Sequence, residues 1–571
     1  MTKRYIITLR VALATGGGIA SGFMLDGCNQ PRPEVPPKQV SAPPSSPIHF
    51  TDVAAQSGIN YRWTVTGKRP LNILQTIGNG CAFFDFNNDG NLDILLIGPN
   101  LGLYQGDGHG KFKDVSSTTG VGGIHGKFLG CAVGDYDGDG FDDVYISGFQ
   151  TGLLLRNDRG KRFVDVTPST GLAAQPWGTS CAWSEMTPGS SKLDLYIANY
   201  AAFVPGSPKY QQLCNSHGML TSCGPRYYKP LHGVFYRQTG PGKFSDASQV
   251  LGIAHTSGRG LGVAFGTIDD SGHPTLALAN DEMPGDLLAP SKGGGPYQNI
   301  ASSAGTAYDR DGNIHGGMGT DWGDYDNDGK LDLAVMTFQG ETKSLYHNDG
   351  NNLFTDASYQ TGIAPPTIPN VAFGCKFLDV DNDGWLDLVI TNGHVQDNIH
   401  AIDTSTDYRQ PAQLFRNQGS APVTFADLSS SAGPDFSRAI VGRGLAIGDY
   451  DNDGKPDVLI VDSEGVPLLL HNESQQTGHW LGVNLIGTQC NRDGYGAVLT
   501  LVAGGKKYIR ECQSCGSYLS ASDKRVHFGL GSATAADTLT ITWPGGHVDT
   551  IQNVAADRYV TVKEGSGIVG R

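Results

Sequence analysis

The sequence predicts an all-β chain: a seven-bladed β-propeller followed by a small β-sandwich-like domain. Three observations predict it. A nine-residue acid loop recurs between apolar runs of strand length. Each loop sits in a longer repeat of four strand-like pieces. The piece missing from the last repeat stands at the front of the first.

Five copies of the acid loop are intact. The first places Asp85, Asn87, Asp89, Asn91 and Asp93 at positions 1, 3, 5, 7 and 9; the second places Asp135, Asp137, Asp139, Phe141 and Asp143 there. The third has Asp324, Asp326, Asp328, Lys330 and Asp332, and the fourth Asp379, Asp381, Asp383, Trp385 and Asp387. The fifth has Asp449, Asp451, Asp453, Lys455 and Asp457. Side-chain oxygens fall at positions 1, 3, 5 and 9, a Gly at position 6 permits a sharp turn, and position 7 offers its backbone carbonyl. That donor set suits a hard, roomy cation, so about five Ca²⁺ sites are expected. The loops do not finish as EF-hands, which need a bidentate Glu at position 12 and a following helix. Here position 12 is Leu96, Ile146, Val335, Ile390 or Ile460, inside β-rich runs such as Leu92–Ile97. Each loop therefore joins two strands.

The full repeat reads small-residue strand, acid loop, apolar strand, a Leu-Tyr-Arg-Asn-like strand, a Gly turn and Phe-x-Asp-Val. Two more copies have decayed loops, one beginning at Glu185 and one at Thr267, and no calcium is expected in either. Loop starts at 85, 135, 185, 267, 324, 379 and 449 give seven units. The seventh keeps Leu468–Asn472 but lacks its Phe-x-Asp-Val, which stands instead at Phe50–Val53. That strand is expected to complete the last blade and leave no open edge. Residues 478–565 lose the acid loops and alternate as short antiparallel strands, as in Ala497–Val502 and Thr538–Trp543.

Composition agrees. The five loops carry nineteen aspartates at ligand positions, against a net charge of −15, so most of the acidity has a local use. It argues against nucleic acid as a partner. Lys3, Arg4 and Arg10 precede an apolar stretch from Val11 to Leu25 that is too short to span a bilayer, which reads as an export signal over residues 1–27. It ends in Leu25-Asp26-Gly27-Cys28, similar to a bacterial lipobox with Cys28 as the acylated residue, followed by a Pro-rich linker over 28–47. A plain cleaved signal peptide is the alternative, so the protein is expected in the cell envelope or secreted, touching a membrane only through that lipid. Export permits disulfides. Cys214 and Cys223 are expected to pair, and one unassigned pair is expected among Cys490, Cys512 and Cys515. Cys81, Cys131, Cys181 and Cys375 share a register that Val263 and Leu445 occupy in other repeats, so they read as packed thiols.

These motifs resemble FG-GAP/VCBS repeats, the kind that build integrin-α propellers. The tail resembles the ASPIC/UnbV domain, through His479-Trp480-Leu481, Asn491–Ala497, Tyr518-Leu519-Ser520, His527–Gly531 and Trp543-Pro544. Together they resemble the cartilage-acidic-protein-like family and its bacterial members. The implied domains are the propeller over 48–473, ASPIC/UnbV over 474–566 and a tail over 567–571. The resemblance implies a secreted calcium-binding propeller and no particular reaction.

With the acid loops on one face, residues before strand 1 and after strand 2 of each blade gather on the other. These include Arg259, Asn280, Asp281, Asn392, His394 and Arg443, under two long insertions at 201–232 and 395–412. They form the candidate ligand site, with a glycan, a small molecule or an extracellular protein as partner. The primary reading is a non-catalytic binding, adhesion or scaffold module. The alternative is an enzyme using His394 as acid/base with Arg259 or Arg443 holding an anion.

Overall fold

A computed structural model of the chain describes residues 47–570 apart from 211, 270, 292, 293 and 476. The export signal, Cys28 and the linker before residue 47 lie outside the described residues.

Seven four-stranded antiparallel sheets follow one another along the chain. The first is Cys81–Phe84, Asp93–Leu96, Gly102–Gly106 and Phe112–Asp114, and the acid loop joins its first two strands. The inner strands of the other six are Phe128–Gly134, Gly178–Ser184, Gly260–Gly266, Thr320–Gly323, Ala372–Leu378 and Gly442–Gly448. Each inner strand packs on the next, and the last packs on the first, which closes a seven-membered ring. Closure is completed within the last blade: Phe50–Asp52 pairs antiparallel with Leu470–Asn472.

The repeat residues have definite tasks. The position-9 aspartates open the second strands and are fully buried, their carboxylates accepting two backbone N–H groups each in the first, fifth and sixth blades. The Asn of the Leu-Tyr-Arg-Asn piece ties neighbouring blades. Asn157, Asn417 and Asn472 each donate from Nδ2 to a carbonyl in the acid loop of the preceding blade, Phe86, Tyr325 and Val380, at 2.7–3.0 Å. Cys81, Cys131, Cys181 and Cys375 are buried in the cores between sheets, as free thiols.

The last eight strands make two further four-stranded sheets, ordered Val526–Gly531, His479–Ile486, Arg558–Lys563, Gly567–Gly570, and Lys506–Glu511, Val498–Ala503, Ala535–Thr542, Val548–Ala555. Two expectations are corrected. One pair, His479–Ile486 with Arg558–Lys563, is parallel, so the domain is not purely antiparallel. The segment read as a tail is an edge strand, Gly567–Gly570, because it pairs with Thr561–Lys563. The core of these sheets is not separate from the propeller. Leu481, Val483, Leu499, Phe528 and Leu539 share one continuous apolar cluster with Trp183 and Leu193 of the third blade. Propeller and C-terminal sheets are joined by buried apolar surface, not by a linker alone.

Candidate functional site

The acid loops turn inward on their own backbone. In the sixth blade Asp379 accepts the N–H groups of Asp383 and Gly384 at 3.0 and 2.8 Å, while Asp383 accepts that of Trp385. The loops of the second and seventh blades repeat the pattern at Asp135 and Asp449. The left-handed conformation of Gly384, at φ 93°, is what position 6 requires. Carboxylate oxygens of Asp135, Asp137 and Asp143 lie within 4.8 Å of one another, as do those of Asp324, Asp326 and Asp332, and of Asp379, Asp381 and Asp387. Burial, reinforced by neighbouring carboxylates, pushes Asp93 and Asp379 up to about 8 and Asp143 up to about 10. Buried oxygens of Asp143, Asp324, Asp381 and Asp451 have no hydrogen-bond partner. The three all-carboxylate clusters, with orphaned buried acceptors, fit a hard divalent cation, while two further clusters bring in an imidazole, His347 with Asp326 and Asp328 and His471 with Asp451 and Asp457.

The sequence reading missed a set of side chains that lean over these loops from the third strand. They occupy the Arg position of Leu-Tyr-Arg-Asn. Arg416 spans Asp381 and Asp383 at 2.7 and 3.0 Å. His347 Nδ1 stands 3.2 Å from Asp332 and His471 Nδ1 3.1 Å from Asp457. Those carboxylates raise both imidazoles to about 9. The repeat register alone could have pointed to them.

The two decayed loops hold protein groups where the intact loops hold carboxylate clusters. Glu185, at position 1 of the third blade, accepts the backbone N–H and the side-chain amide of Asn491 at 2.6 and 2.9 Å. Thr267, at position 1 of the fourth, donates its N–H and hydroxyl to Glu511 at 2.8 and 3.2 Å. The C-terminal sheets therefore dock on the acid-loop face. Further contacts come from Asp493, which accepts the Asp135 N–H at 2.7 Å, and from Tyr559, whose hydroxyl donates to Asp449 at 2.7 Å. Lys524 bridges Asp142 and Asp493 at 2.6 and 2.5 Å.

From the same domain, the loop between Lys506–Glu511 and Val526–Gly531 enters the ring of inner strands. Its backbone and side chains bond to six of the seven blades. Phe265 donates to Cys515 Sγ, Thr320 exchanges backbone bonds with Ser517, and Leu519 donates to Ser180 Oγ. Leu519 in turn accepts the Cys131 N–H, Ser520 Oγ that of Cys81 and Ser522 Oγ that of Ile447. Gly80 has to be glycine here, because a Cβ would stand 1.8 Å from the Leu519 carbonyl oxygen. The pair expected among Cys490, Cys512 and Cys515 is absent. Cys515 lies in this loop, Cys490 beside Glu564 and Cys512 beside the Asp493 carbonyl, all three as buried free thiols. Cys214 and Cys223 do form a disulfide, which closes the hairpin of Leu213–Ser216 and Met219–Ser222.

On the opposite face the six candidate ligand residues take different roles. Arg443 is wholly buried, and its guanidinium makes five hydrogen bonds to the carbonyls of Thr76, Gly393, Gly442 and His394 at 2.7–3.1 Å. No donor is left for an anion, so Arg443 fastens the channel mouth. Arg259 donates to the carbonyls of Tyr228 and Glu282. Asn392 donates to the Pro411 carbonyl and Gln413, and Asn280 to the Pro284 carbonyl and Asp286. His394 accepts the Gln396 N–H on Nδ1 and packs edge-on to Phe338, and burial together with Arg443 lowers it to about 3, leaving it neutral. Its Nε2 has no hydrogen-bond partner, so the imidazole is not linked to a second titratable group.

Of the six, Asp281 lines the sizeable cavity on this face, one of about 240 Å³. Its wall includes Tyr200, Phe338 and Phe373 with the carboxylates of Asp281, Glu282 and Glu341. The helix Ile73–Thr76, the disulfide-closed insertion and the 395–396 segment enclose it. The two insertions clasp each other, Thr221 Oγ1 donating to Asn398 Oδ1 at 3.0 Å and Asn398 Nδ2 to the Leu220 carbonyl at 2.8 Å. Tyr518 of the central loop packs edge-on to Phe373 and donates to the Ile77 carbonyl at 2.8 Å, beneath the cavity wall.

Sequence comparison agrees with this architecture. The ASPIC and UnbV family matches residues 487–569, and the FG-GAP-like repeat family matches residues 85–146 and 324–390. Cartilage acidic protein 1 of Xenopus tropicalis is 26% identical over 507 residues, spanning 82% of this chain and 71% of its own. The Homo sapiens protein of that name is 25% identical over 523 residues, spanning 85% and 71%. Among solved structures, an Agrocybe aegerita lectin described as recognising non-reducing terminal N-acetylglucosamine is similar at a TM-score of 0.40 and 14% identity, over 70% of this chain and 92% of its own. A Niastella koreensis GH74 enzyme is similar at 0.39 and 11%, over 88% and 70%. The chain thus carries FG-GAP-like repeats and a C-terminal ASPIC and UnbV domain, and it is similar to cartilage acidic protein 1 over most of its length.

Proposed function

We propose that the protein is an exported, calcium-stabilised binding module whose two faces have separate work. The acid-loop face binds Ca²⁺ at five loops and carries the C-terminal domain. The opposite face receives a ligand in the cup under the two insertions. The observation that carries this reading is the segregation itself. The acid clusters lie at one end of the inner strands, under or beside the docked domain, and the cup lies at the other end, above Tyr518 of the central loop. The neutral, singly bonded imidazole of His394 gives no support to acid/base chemistry there.

Calcium would act on stability. Clustered carboxylates oppose folding until a cation neutralises them, and a ligand that binds only the folded state stabilises it by mass action. Thermal melting of the full chain tests this. Chelator should lower the midpoint, and Ca²⁺ should restore it more effectively than Mg²⁺, which resists dehydration and prefers tighter octahedral geometry. An unchanged midpoint in excess chelator would reject the calcium half of the proposal.

A further inference from the structure

The cup has a distinct chemical polarity. Three carboxylates, Asp281, Glu282 and Glu341, are in its lining, and no Lys, Arg or His is among its described lining residues. The basic groups nearby are already engaged. Arg259 is held by the Tyr228 and Glu282 carbonyls, and Lys343 donates to the carbonyls of Phe338, Glu341 and Asn370 at 2.9, 3.2 and 2.6 Å. Arg226 meets Glu282 at 3.0 Å from an exposed position, where an ion pair is worth little. Tyr200 donates to Asp281 at 2.5 Å and fixes that carboxylate's orientation. The lining also includes the apolar side chains of Ile73, Ile77 and Phe373. Arg443 already stands over the Phe373 ring, 4.0 Å from its centroid, so a second positive charge is better placed at the carboxylate end. Strain marks the same rim: Arg259 and Glu282 both adopt left-handed backbone, at φ 56° and 51°.

We infer that the cup binds a small organic cation, an amine or quaternary ammonium head against Asp281, Glu282 and Glu341 with an apolar body lying toward Ile73, Ile77 and Phe373. This deepens the proposed ligand face and rests on it. The volume admits about eight waters' worth of material, so the occupant is a compact molecule, not a chain of sugars. Burial pushes the Asp281 carboxyl up to about 7, and a cation beside it would draw that value back down. The nearest fixed positive charge, Arg259, spends its hydrogen bonds on the Tyr228 and Glu282 carbonyls, so a bound cation is the group that relieves the desolvated Asp281 carboxylate directly.

The test uses the full, calcium-loaded chain and four probes of one length: hexylamine, hexyltrimethylammonium, hexanol and hexanoate. Binding is followed by ligand-observed NMR titration. The two cations should bind at least about tenfold more tightly than hexanol, with hexanoate weakest, as one buried charge contact of about 1.4 kcal/mol or more requires. Asp281→Asn should cost the cations at least that factor while leaving the calcium count unchanged. Glu341→Gln, which retains an oxygen for the Gly316 and Phe338 N–H groups, should weaken them in the same direction and covers the case where the first variant misfolds. Equal binding of hexanol or hexanoate would overturn the cation assignment and leave the ligand face standing. No saturable binding by either cation, or cation binding indifferent to both substitutions, would overturn the assignment as well.

Discussion

Glu185 stands where an intact acid loop has its first aspartate, and its carboxylate accepts two hydrogen bonds from Asn491, 306 residues further along the chain. Both residues are buried, at 3% and 1% exposure. The third blade thus has a docking contact where the intact loops have a carboxylate cluster. Thr267 and Glu511 make the corresponding contact in the fourth blade. Loop decay in this chain has a physical counterpart: position 1 still binds something, but the partner belongs to the C-terminal domain.

Removing that partner should cost stability without touching the metal sites. Glu185→Ala leaves the Asn491 backbone N–H without its partner and the Asn491 amide with only its bond to the Tyr495 carbonyl, and it also frees the Ser191 N–H, which together costs roughly 2–4 kcal/mol. Urea unfolding of the variant, with calcium saturating, should show that loss at unchanged calcium content. A variant as stable as the parent would mean that the contact is incidental to docking.

Deleting residues 48–54 should destabilise the whole propeller. Phe50 is fully buried, and its strand covers the edge Leu468–Asn472. Loss of that aromatic side chain alone costs roughly 3–5 kcal/mol, and the bared edge invites pairing between molecules. The expected result is a lower melting midpoint together with concentration-dependent aggregation. A monomeric variant that melts with the parent would reject closure by this strand.

Much of the fold is legible in the sequence because the repeat is local. Loop, strand and Phe-x-Asp pieces recur within about fifty residues, and the missing piece at the end reappears at Phe50–Val53. Burial of Asp93, Asp143 and their counterparts follows from the same register. The docking contacts are not legible, since Glu185–Asn491 and Ser520–Cys81 link positions more than three hundred residues apart with no shared pattern. Among the six ligand candidates, side-chain type does not reveal occupancy. Arginine suits anions, yet Arg443 is consumed by five carbonyl bonds, made possible by close backbone approach at Gly393 and Gly442. Asp281 differs in that the insertions leave space beside it.

The docking contact of the fourth blade should also give a pH signature. Burial pushes the Glu511 carboxyl up to about 7, although its bonds from Thr267 pull the other way. A folded-state value above the ordinary 4.5 means that ionisation opposes folding. Its stabilising contribution is therefore full below about pH 4.5 and is lost as pH rises through about 7. Glu511→Gln, which cannot ionise, should flatten the fall in urea midpoint between about pH 5 and pH 8. A variant whose midpoint falls as steeply as the parent's would show that another group sets the slope.

Calcium is expected at the intact loops and at no decayed one. Equilibrium dialysis against Ca²⁺ followed by elemental mass spectrometry counts ions per chain directly. Five intact loops predict about five tightly held Ca²⁺, falling by one in Asp453→Ala and by none in Glu185→Ala. A count near zero, or a count that Asp453→Ala leaves unchanged, would contradict it.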